Sequence, residues 1–82
     1  PMPLANFLLN GEEVKVVEGY VGDATKKEAG TICDIKKDAI GIACSDHIYY
    51  VTKLKPFGKK EMSARDYLNG IHIDTIQNKK VE

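Results

Sequence analysis

The sequence predicts a mostly β fold, a small five-stranded and partly open barrel with one short helix. Short runs of β-branched and aromatic residues are bounded by Gly, Asp and Ser, as strands usually are. An Asn-Gly pair between two apolar runs is the strongest short-range hairpin signal, and one short stretch has helix-capping residues instead. The 82 residues form one small domain, residues 1–82, and five short strands in such a domain favour the oligonucleotide-binding type of barrel.

The first hairpin is predicted from residues 5–9 and 12–21, with Asn10-Gly11 as its turn. A type I′ turn needs positive φ at both central residues, which Asn and Gly tolerate best. Val14 and Val16 alternate with Lys15 and Val17 along the second strand, so one of its faces is predicted to be core. The polar segment 21–30 is predicted to be a loop.

Three further strands are predicted, at residues 30–36, 39–44 and 47–55. They are rich in isoleucine, valine and tyrosine, which pack well on a pleated surface. Lys37-Asp38 and Ser45-Asp46 separate them and are predicted to be tight turns. The three strands should therefore follow one another as an antiparallel meander.

The register of the first of these turns makes a prediction about the two cysteines, Cys33 and Cys44. In this register Cys33 pairs with Ile42. The residues that then share one face of the hairpin are Thr31, Cys33, Ile35, Ile40, Ile42 and Cys44. Diagonal neighbours of this kind lie about 7–8 Å apart, which is long for a disulfide. We therefore predict two buried free thiols in a reducing compartment. A metal site of Cys33, Cys44 and His47 has poor ligand spacing and no clear fourth ligand, so no metal is expected.

The pattern changes at residues 62–71, where we predict the short helix. Ser63 and Asp66 have the spacing of a capping box, with Asp in place of the usual Glu or Gln. A hydrophobic staple and a Schellman ending are predicted on Met62, Tyr67, Gly70 and Ile71. From about residue 71 the pattern is weak, and we predict an irregular tail that frays.

The stretch Gly58-Lys59-Lys60 is not a nucleotide-binding P-loop. That motif requires a glycine where Lys53 stands and a Ser or Thr where Lys60 stands. The two lysines could still contact a phosphate backbone as point charges. The alternative is a basic loop that contacts only water.

No catalytic constellation is evident, and no catalytic residue is predicted. His47 and His72 lie in polar surroundings far apart in the sequence, and the carboxylates follow turns and strand ends. The tyrosines Tyr20, Tyr49 and Tyr50 could stack on bases at a barrel face. Alternation along the strand puts Tyr49 and Tyr50 on opposite faces, so only one of these two can be exposed for that purpose.

Composition limits the possible functions further. There are 12 basic and 12 acidic residues, and this zero net charge argues against a dedicated nucleic-acid binder, although lysine doublets could concentrate positive charge locally. No apolar run is long enough to span a membrane, and no secretory signal begins the chain, so we expect a cytoplasmic protein. The chain begins with Pro1, which indicates a removed initiator Met or a piece of a longer protein.

Several stretches together resemble the C-terminal domain of methionyl-tRNA formyltransferases. The opening PMPLANFLLNGEEVKV has the Pro-x-Pro pair, the apolar strand, the glycine turn and the following strand of that domain. A second, more specific string is Pro-x-Gly-Lys-Lys-x-Met-Ser-Ala-x-Asp. The residues that match the family are Gly30, Thr31, Pro56, Gly58, Lys59, Lys60, Met62, Ser63, Ala64, Asp66 and Leu68. The resemblance covers residues 1 to about 70.

The resemblance implies a non-catalytic domain that helps to bind initiator tRNA. In such enzymes an N-terminal catalytic domain transfers the formyl group of 10-formyltetrahydrofolate, with an Asn-His-Asp set that this chain lacks; the chain itself is expected to hold no cofactor. The expected phosphate contacts are Lys36, Lys37, Lys59, Lys60 and Arg65. The alternative is the structural C-terminal domain of a sugar-nucleotide or other formyltransferase, which shapes the catalytic cleft without binding RNA, and the zero net charge favours it.

Overall fold

A curved antiparallel sheet forms most of the molecule in a computed structural model that describes residues 4–82. Five strands follow one another in the spatial order β1-β2-β5-β4-β3. The elements are β1 (Asn6–Leu9), β2 (Glu12–Ala24), β3 (Ile32–Ile35), β4 (Ile40–Cys44), β5 (His47–Pro56), a short β6 (Met62–Ser63), helix α1 (Ala64–Asn69) and a 3-10 helix (Ile73–Thr75). The predicted mostly β, OB-like barrel with one short helix is confirmed. The Pro-x-Pro pair at positions 1–3 lies outside the described residues.

The first hairpin forms as predicted, but its second strand is longer. Asn10 and Gly11 both have positive φ, 53° and 84°, as a type I′ turn requires. Strand β2 continues to Ala24, through the start of the segment predicted to be a loop. Its register against β5 shifts at three places. Because each bulge bends a strand and increases its twist, β2 can curl around the barrel and pair with both β1 and β5.

The hairpin of β3 and β4 agrees with the predicted register at its turn and departs from it further away. Ile35 pairs with Ile40 as predicted, but Ile32, rather than Cys33, pairs with Ile42. A register shift between Ile32 and Asp34 inserts one residue into β3. Since side chains alternate between faces, the extra residue exchanges the faces beyond it. Ile32 is therefore fully buried and Cys33 only half-buried, so the predicted shared face is wrong at Cys33.

One edge of β5 pairs first with β4 and then with β6. Ile40 at the start of β4 pairs with Val51, and Ser63 in β6 pairs with Lys53, two residues further along β5. The β3–β4 turn and the beginning of α1 therefore adjoin each other along this edge. Strand β6 was not predicted from the sequence, because two residues have no period of their own.

Helix α1 begins as predicted and ends differently. The hydroxyl of Ser63 accepts a hydrogen bond from the backbone N–H of Asp66 at 3.0 Å, which is the predicted N-cap. Gly70 has φ −95°, so it is not the left-handed residue of a Schellman ending, and that prediction is wrong. Its N–H instead donates to the carbonyl of Tyr67 at 3.1 Å. This tighter bond closes the last turn without a left-handed residue.

The C-terminal tail closes the barrel between β3 and β1, so the expectation that it frays is wrong. On one side, the N–H groups of Ile32 and Val81 donate to the carbonyls of Lys79 and Gly30, each at 2.8 Å. On the other side, Leu8 and Glu82 exchange two backbone hydrogen bonds of 2.9 and 3.0 Å. The tail has little regular structure apart from the 3-10 helix, but the edges of β1 and β3 supply its backbone partners.

The core lies inside this closed sheet and under α1. It takes side chains from every strand of the main sheet, from the helix and from the tail. Its members are Phe7, Leu9, Val14, Val16, Ile32, Ile40, Ile42, Tyr49, Val51, Leu54, Ala64, Leu68, Ile76 and Val81.

Candidate nucleic-acid interface

The five cations predicted to contact phosphate lie in three segments of the structure. Lys36 and Lys37 are in the β3–β4 turn, Lys59 and Lys60 are in the loop after β5, and Arg65 is in the first turn of α1. All five side chains are exposed. The five residues are called the basic edge below.

The pairing of β5 places these three segments along one of its edges. The β3–β4 turn precedes Ile40, which pairs with Val51, while Arg65 follows Ser63, which pairs with Lys53. The loop with the two lysines leads into β6 along the same edge of β5. The fold thus aligns residues that are up to 29 positions apart in the sequence (65 − 36).

The cations of the basic edge form no ion pair within residues 4–82. The ion pairs found there join Lys53 to Glu18 at 3.3 Å and to Glu61 at 3.9 Å, and the other two pairs are Lys80–Glu28 and His47–Asp46. Acidic side chains do occur along the edge, but Glu61 is directed to Lys53. The charges of the basic edge are therefore available to an anionic partner.

Phe57 is an exposed aromatic residue beside the basic edge that the sequence did not single out. Lys59 donates its N–H to the carbonyl of Pro56 at 3.0 Å, and Gly58 has φ 75°. This turn presents Phe57 to solvent, with 74% of the residue's surface exposed. It borders a shallow cavity of ≈ 410 Å³ whose other lining residues are Leu8, Gly11, Glu12 and Glu13. The two glutamates make this cavity unsuited to phosphate.

The predicted base-stacking tyrosines are divided between the two faces of the sheet. Tyr49 belongs to the core, and Tyr50 lies on the opposite, outer face, as alternation predicts. Tyr50 is nevertheless buried, because Tyr20 stacks on it with ring centroids 5.2 Å apart and an interplanar angle of 27°. The ammonium of Lys36 lies 4.4 Å from the centroid of the Tyr50 ring. Tyr20 is therefore the member of the trio with exposed surface, 46%.

Tyr50 is fixed in place by a hydrogen bond and by two glycines. Its hydroxyl donates to a carboxylate oxygen of Asp34 at 2.5 Å. This hydrogen bond, together with burial, raises the pKa of Tyr50 to about 12. A Cβ at Gly22 would lie 2.2 Å from the Tyr50 ring, and one at Gly41 would lie 2.8 Å from it. Only glycines at these positions leave room for the ring.

The cysteines and histidines are not grouped into a metal site within residues 4–82. Cys33 and Cys44 are free and half-buried, and burial raises the pKa of both thiols. His47 lies opposite Cys44 in the hairpin of β4 and β5, but its Nδ1 contacts Asp46 at 3.0 Å. No group of three or more potential ligands is placed to hold a metal ion in this part of the chain. Likewise, none of the helices described could cross a membrane.

The chain matches the family described as formyl transferase, C-terminal domain. The match spans residues 1–72 and so includes the sheet, the basic edge and α1. The tail that closes the barrel lies beyond it. The family match confirms the predicted resemblance to the C-terminal domain of a formyltransferase.

Proposed function

Because the chain belongs to the formyl transferase C-terminal domain family, we propose that it serves a methionyl-tRNA formyltransferase by helping to hold initiator tRNA. The N-terminal catalytic domain of that enzyme is its proposed protein partner. That domain would bind 10-formyltetrahydrofolate and transfer its formyl group, and no residue of this chain is assigned to the cofactor. Such an enzyme acts on charged tRNA and belongs with the translation machinery, so we propose a cytoplasmic location.

The observation that carries the proposal is the basic edge with its unpaired charges. Lys36, Lys37, Lys59, Lys60 and Arg65 are exposed, follow one edge of β5 and have no carboxylate partner within residues 4–82. Lysine and arginine that neutralise phosphates release bound counterions, which gives affinity at low salt. Zero net charge for the whole chain is compatible with this function, because Glu61, the acidic neighbour of Lys60, is directed to Lys53, and Glu18 and Glu28 are paired with lysines outside the basic edge.

The proposal predicts salt-dependent binding of initiator tRNA by the 82-residue chain. Two lysine doublets allow a matched comparison, since Lys59→Ala/Lys60→Ala and Lys79→Ala/Lys80→Ala remove the same charge. The first doublet is on the basic edge, while Lys80 in the second is paired with Glu28. We expect the first variant to bind more weakly and to lower the slope of log affinity against log salt by about 1 per lost contact. The second variant should retain nearly the full slope.

Fluorescence anisotropy with labelled initiator tRNA from about 25 to 200 mM salt provides the measurement. Absence of binding at tens of micromolar, or binding indifferent to salt, would contradict the proposal. Equal losses of affinity in the two doublet variants would show that RNA binding depends only on the net charge of the chain. A chain that binds no RNA but restores the activity of a truncated catalytic domain would instead support the structural alternative.

A further inference from the structure

The stacked tyrosines of the outer face are not explained by the contacts of the basic edge. Tyr20 and Tyr50 form a cross-strand pair between β2 and β5, and their rings stack at 5.2 Å. Tyr50 is almost fully covered, whereas 46% of Tyr20 is exposed. The outer face thus presents one aromatic ring to solvent, supported from below by a second. The pair and Lys36 are called the tyrosine platform below.

The support under Tyr20 is rigid. Tyr50 is fixed by its hydrogen bond to Asp34 and enclosed between Gly22 and Gly41, where any larger residue would collide with its ring. The ammonium of Lys36 lies 4.4 Å from the centre of the same ring. Because Tyr20 stacks on this fixed ring, it has less freedom to lose when a ligand covers it, which favours binding. Tyr20 is consequently preorganised for stacking.

Charges around the tyrosine platform restrict the class of ligand. Asp34 holds the Tyr50 hydroxyl, and both Asp34 and Asp23 act on that hydroxyl electrostatically, so two carboxylates lie close by. They would repel a phosphate placed directly on the platform, but they accept hydrogen bonds from N–H groups. Lys36, which belongs to the basic edge, has its ammonium 4.4 Å from the centre of the Tyr50 ring. A flat ring with N–H donors, attached to an anionic backbone, satisfies both features.

We propose that Tyr20, supported by Tyr50 and bordered by Lys36, is a stacking subsite for one unpaired RNA base. The backbone on either side of that base follows the basic edge. Stacking on aromatic side chains is tolerant of base identity because every base has a π-face. The subsite rests on the proposed function, since it places a base of the RNA whose phosphates the basic edge contacts.

The chain contains no tryptophan, so Tyr20→Trp provides a single fluorescent reporter at the platform. A single-stranded 12-nucleotide RNA should quench it at low salt, because a stacked base quenches indole emission. Inorganic polyphosphate has the charge of a nucleic acid without its bases, and it should bind with little quenching. Phe57→Trp is the comparison, an exposed aromatic position outside the tyrosine platform that also adjoins the basic edge, through Lys59 and Lys60. Quenching at position 57 with none at position 20 would overturn the subsite.

Affinity provides the second measurement. Tyr20→Leu should weaken binding of the single-stranded RNA about tenfold, whereas Tyr20→Phe should bind like the native chain, because the π-face carries the interaction. The salt dependence should be unchanged in both, since neither loses a phosphate contact. Native affinity in Tyr20→Leu would overturn the subsite. The same result is expected if this face contacts a protein partner instead of RNA.

The two proposals fail in distinguishable ways. If the Lys59/Lys60 variant loses salt dependence while Tyr20→Leu binds normally, only the subsite is wrong. If the native chain binds neither initiator tRNA nor single-stranded RNA, both are wrong. If single-stranded RNA quenches Tyr20→Trp but initiator tRNA does not bind, the platform recognises unpaired bases and the proposed tRNA function is wrong.

Discussion

Gly41 and Gly70 differ in whether their position requires a glycine. A Cβ at Gly41 would lie 2.6 Å from the carbonyl oxygen of Asp34 and 2.8 Å from the Tyr50 ring. At Gly70 the nearest atom would be 3.6 Å away, and φ is −95°, which any residue adopts. Gly41 is therefore needed for close approach, whereas Gly70 is not needed for its conformation.

We accordingly predict that Gly41→Ala destabilises the domain by about 2 kcal/mol or more, because backbone atoms of β3 must move. Gly70→Ala should be neutral or slightly stabilising, since alanine restricts the unfolded chain more than glycine does. Urea unfolding at neutral pH measures both variants in parallel. Similar midpoints for the two would contradict the close approach at Gly41.

The hydroxyl of Tyr50 leads to a prediction about alkaline stability. Its pKa is about 12 in the folded chain, whereas an unfolded tyrosine titrates near pH ~10. Folding therefore disfavours the ionised form, so this contribution to stability is complete below pH ~10 and is lost as the pH rises towards ~12. The native chain should lose stability through this window more steeply than Tyr50→Phe, which has nothing to ionise there.

Urea unfolding at pH 8, 10 and 11.5 checks this expectation. Tyr49 and Tyr67, whose pKa values are also raised by burial, are present in both proteins. The difference between native chain and variant therefore isolates Tyr50. A parallel decline of the two proteins would show that the Tyr50 hydroxyl is not held by Asp34.

At the scale of elements, sequence patterns located the main strands because each has local turn signals. The positive φ values of Asn10 and Gly11 come from chemistry that is visible in two letters of sequence. The insertion near Cys33 is different, since it depends on how β3 must bend to follow the curvature of β4. Nothing in the composition of residues 32–35 marks that extra residue, so register could be predicted only close to the turn.

The candidate site was likewise predictable from the sequence only in part. The lysines of the basic edge and Arg65 could be selected from the sequence through the family string and the doublets. Their alignment could not, because it depends on β6, which forms only where Ser63 meets Lys53 of β5. The platform was half-predictable. Alternation separated Tyr49 from Tyr50, but the stack of Tyr20 on Tyr50 follows from the pairing of β2 with β5.

At the scale of the whole molecule, the tail determines whether the sheet is open or closed. Strands β1 and β3 are the two ends of the sheet, and each would otherwise expose unpaired backbone groups. Residues 78–82 lie between them, bonded to Leu8 on one side and to Gly30 and Ile32 on the other. Val81 is 7% exposed and belongs to the core. A weakly patterned segment is thus necessary for the complete barrel.

We predict that deletion of residues 78–82 destabilises the domain and makes it self-associate. The deletion removes the backbone partners of β1 and β3 and uncovers core side chains, while exposed strand edges pair readily with other chains. Val81→Ala tests the packing alone and should cost about 1–2 kcal/mol, or roughly 5–15 °C in Tm for a domain of this size. Lys80→Ala is the control, since it removes only an exposed ion pair with Glu28.

Thermal unfolding and sedimentation velocity distinguish the contributions. Lys80→Ala should unfold within a degree or two of the native chain and remain of native size. Val81→Ala should unfold earlier without a change in size, because the backbone bonds of the tail persist. The deletion should unfold earliest and sediment as larger species, since two sheet edges become available together. A deleted chain that keeps the native Tm and size would show that the hydrogen bonds of the tail to Leu8 and Ile32 contribute nothing to closure.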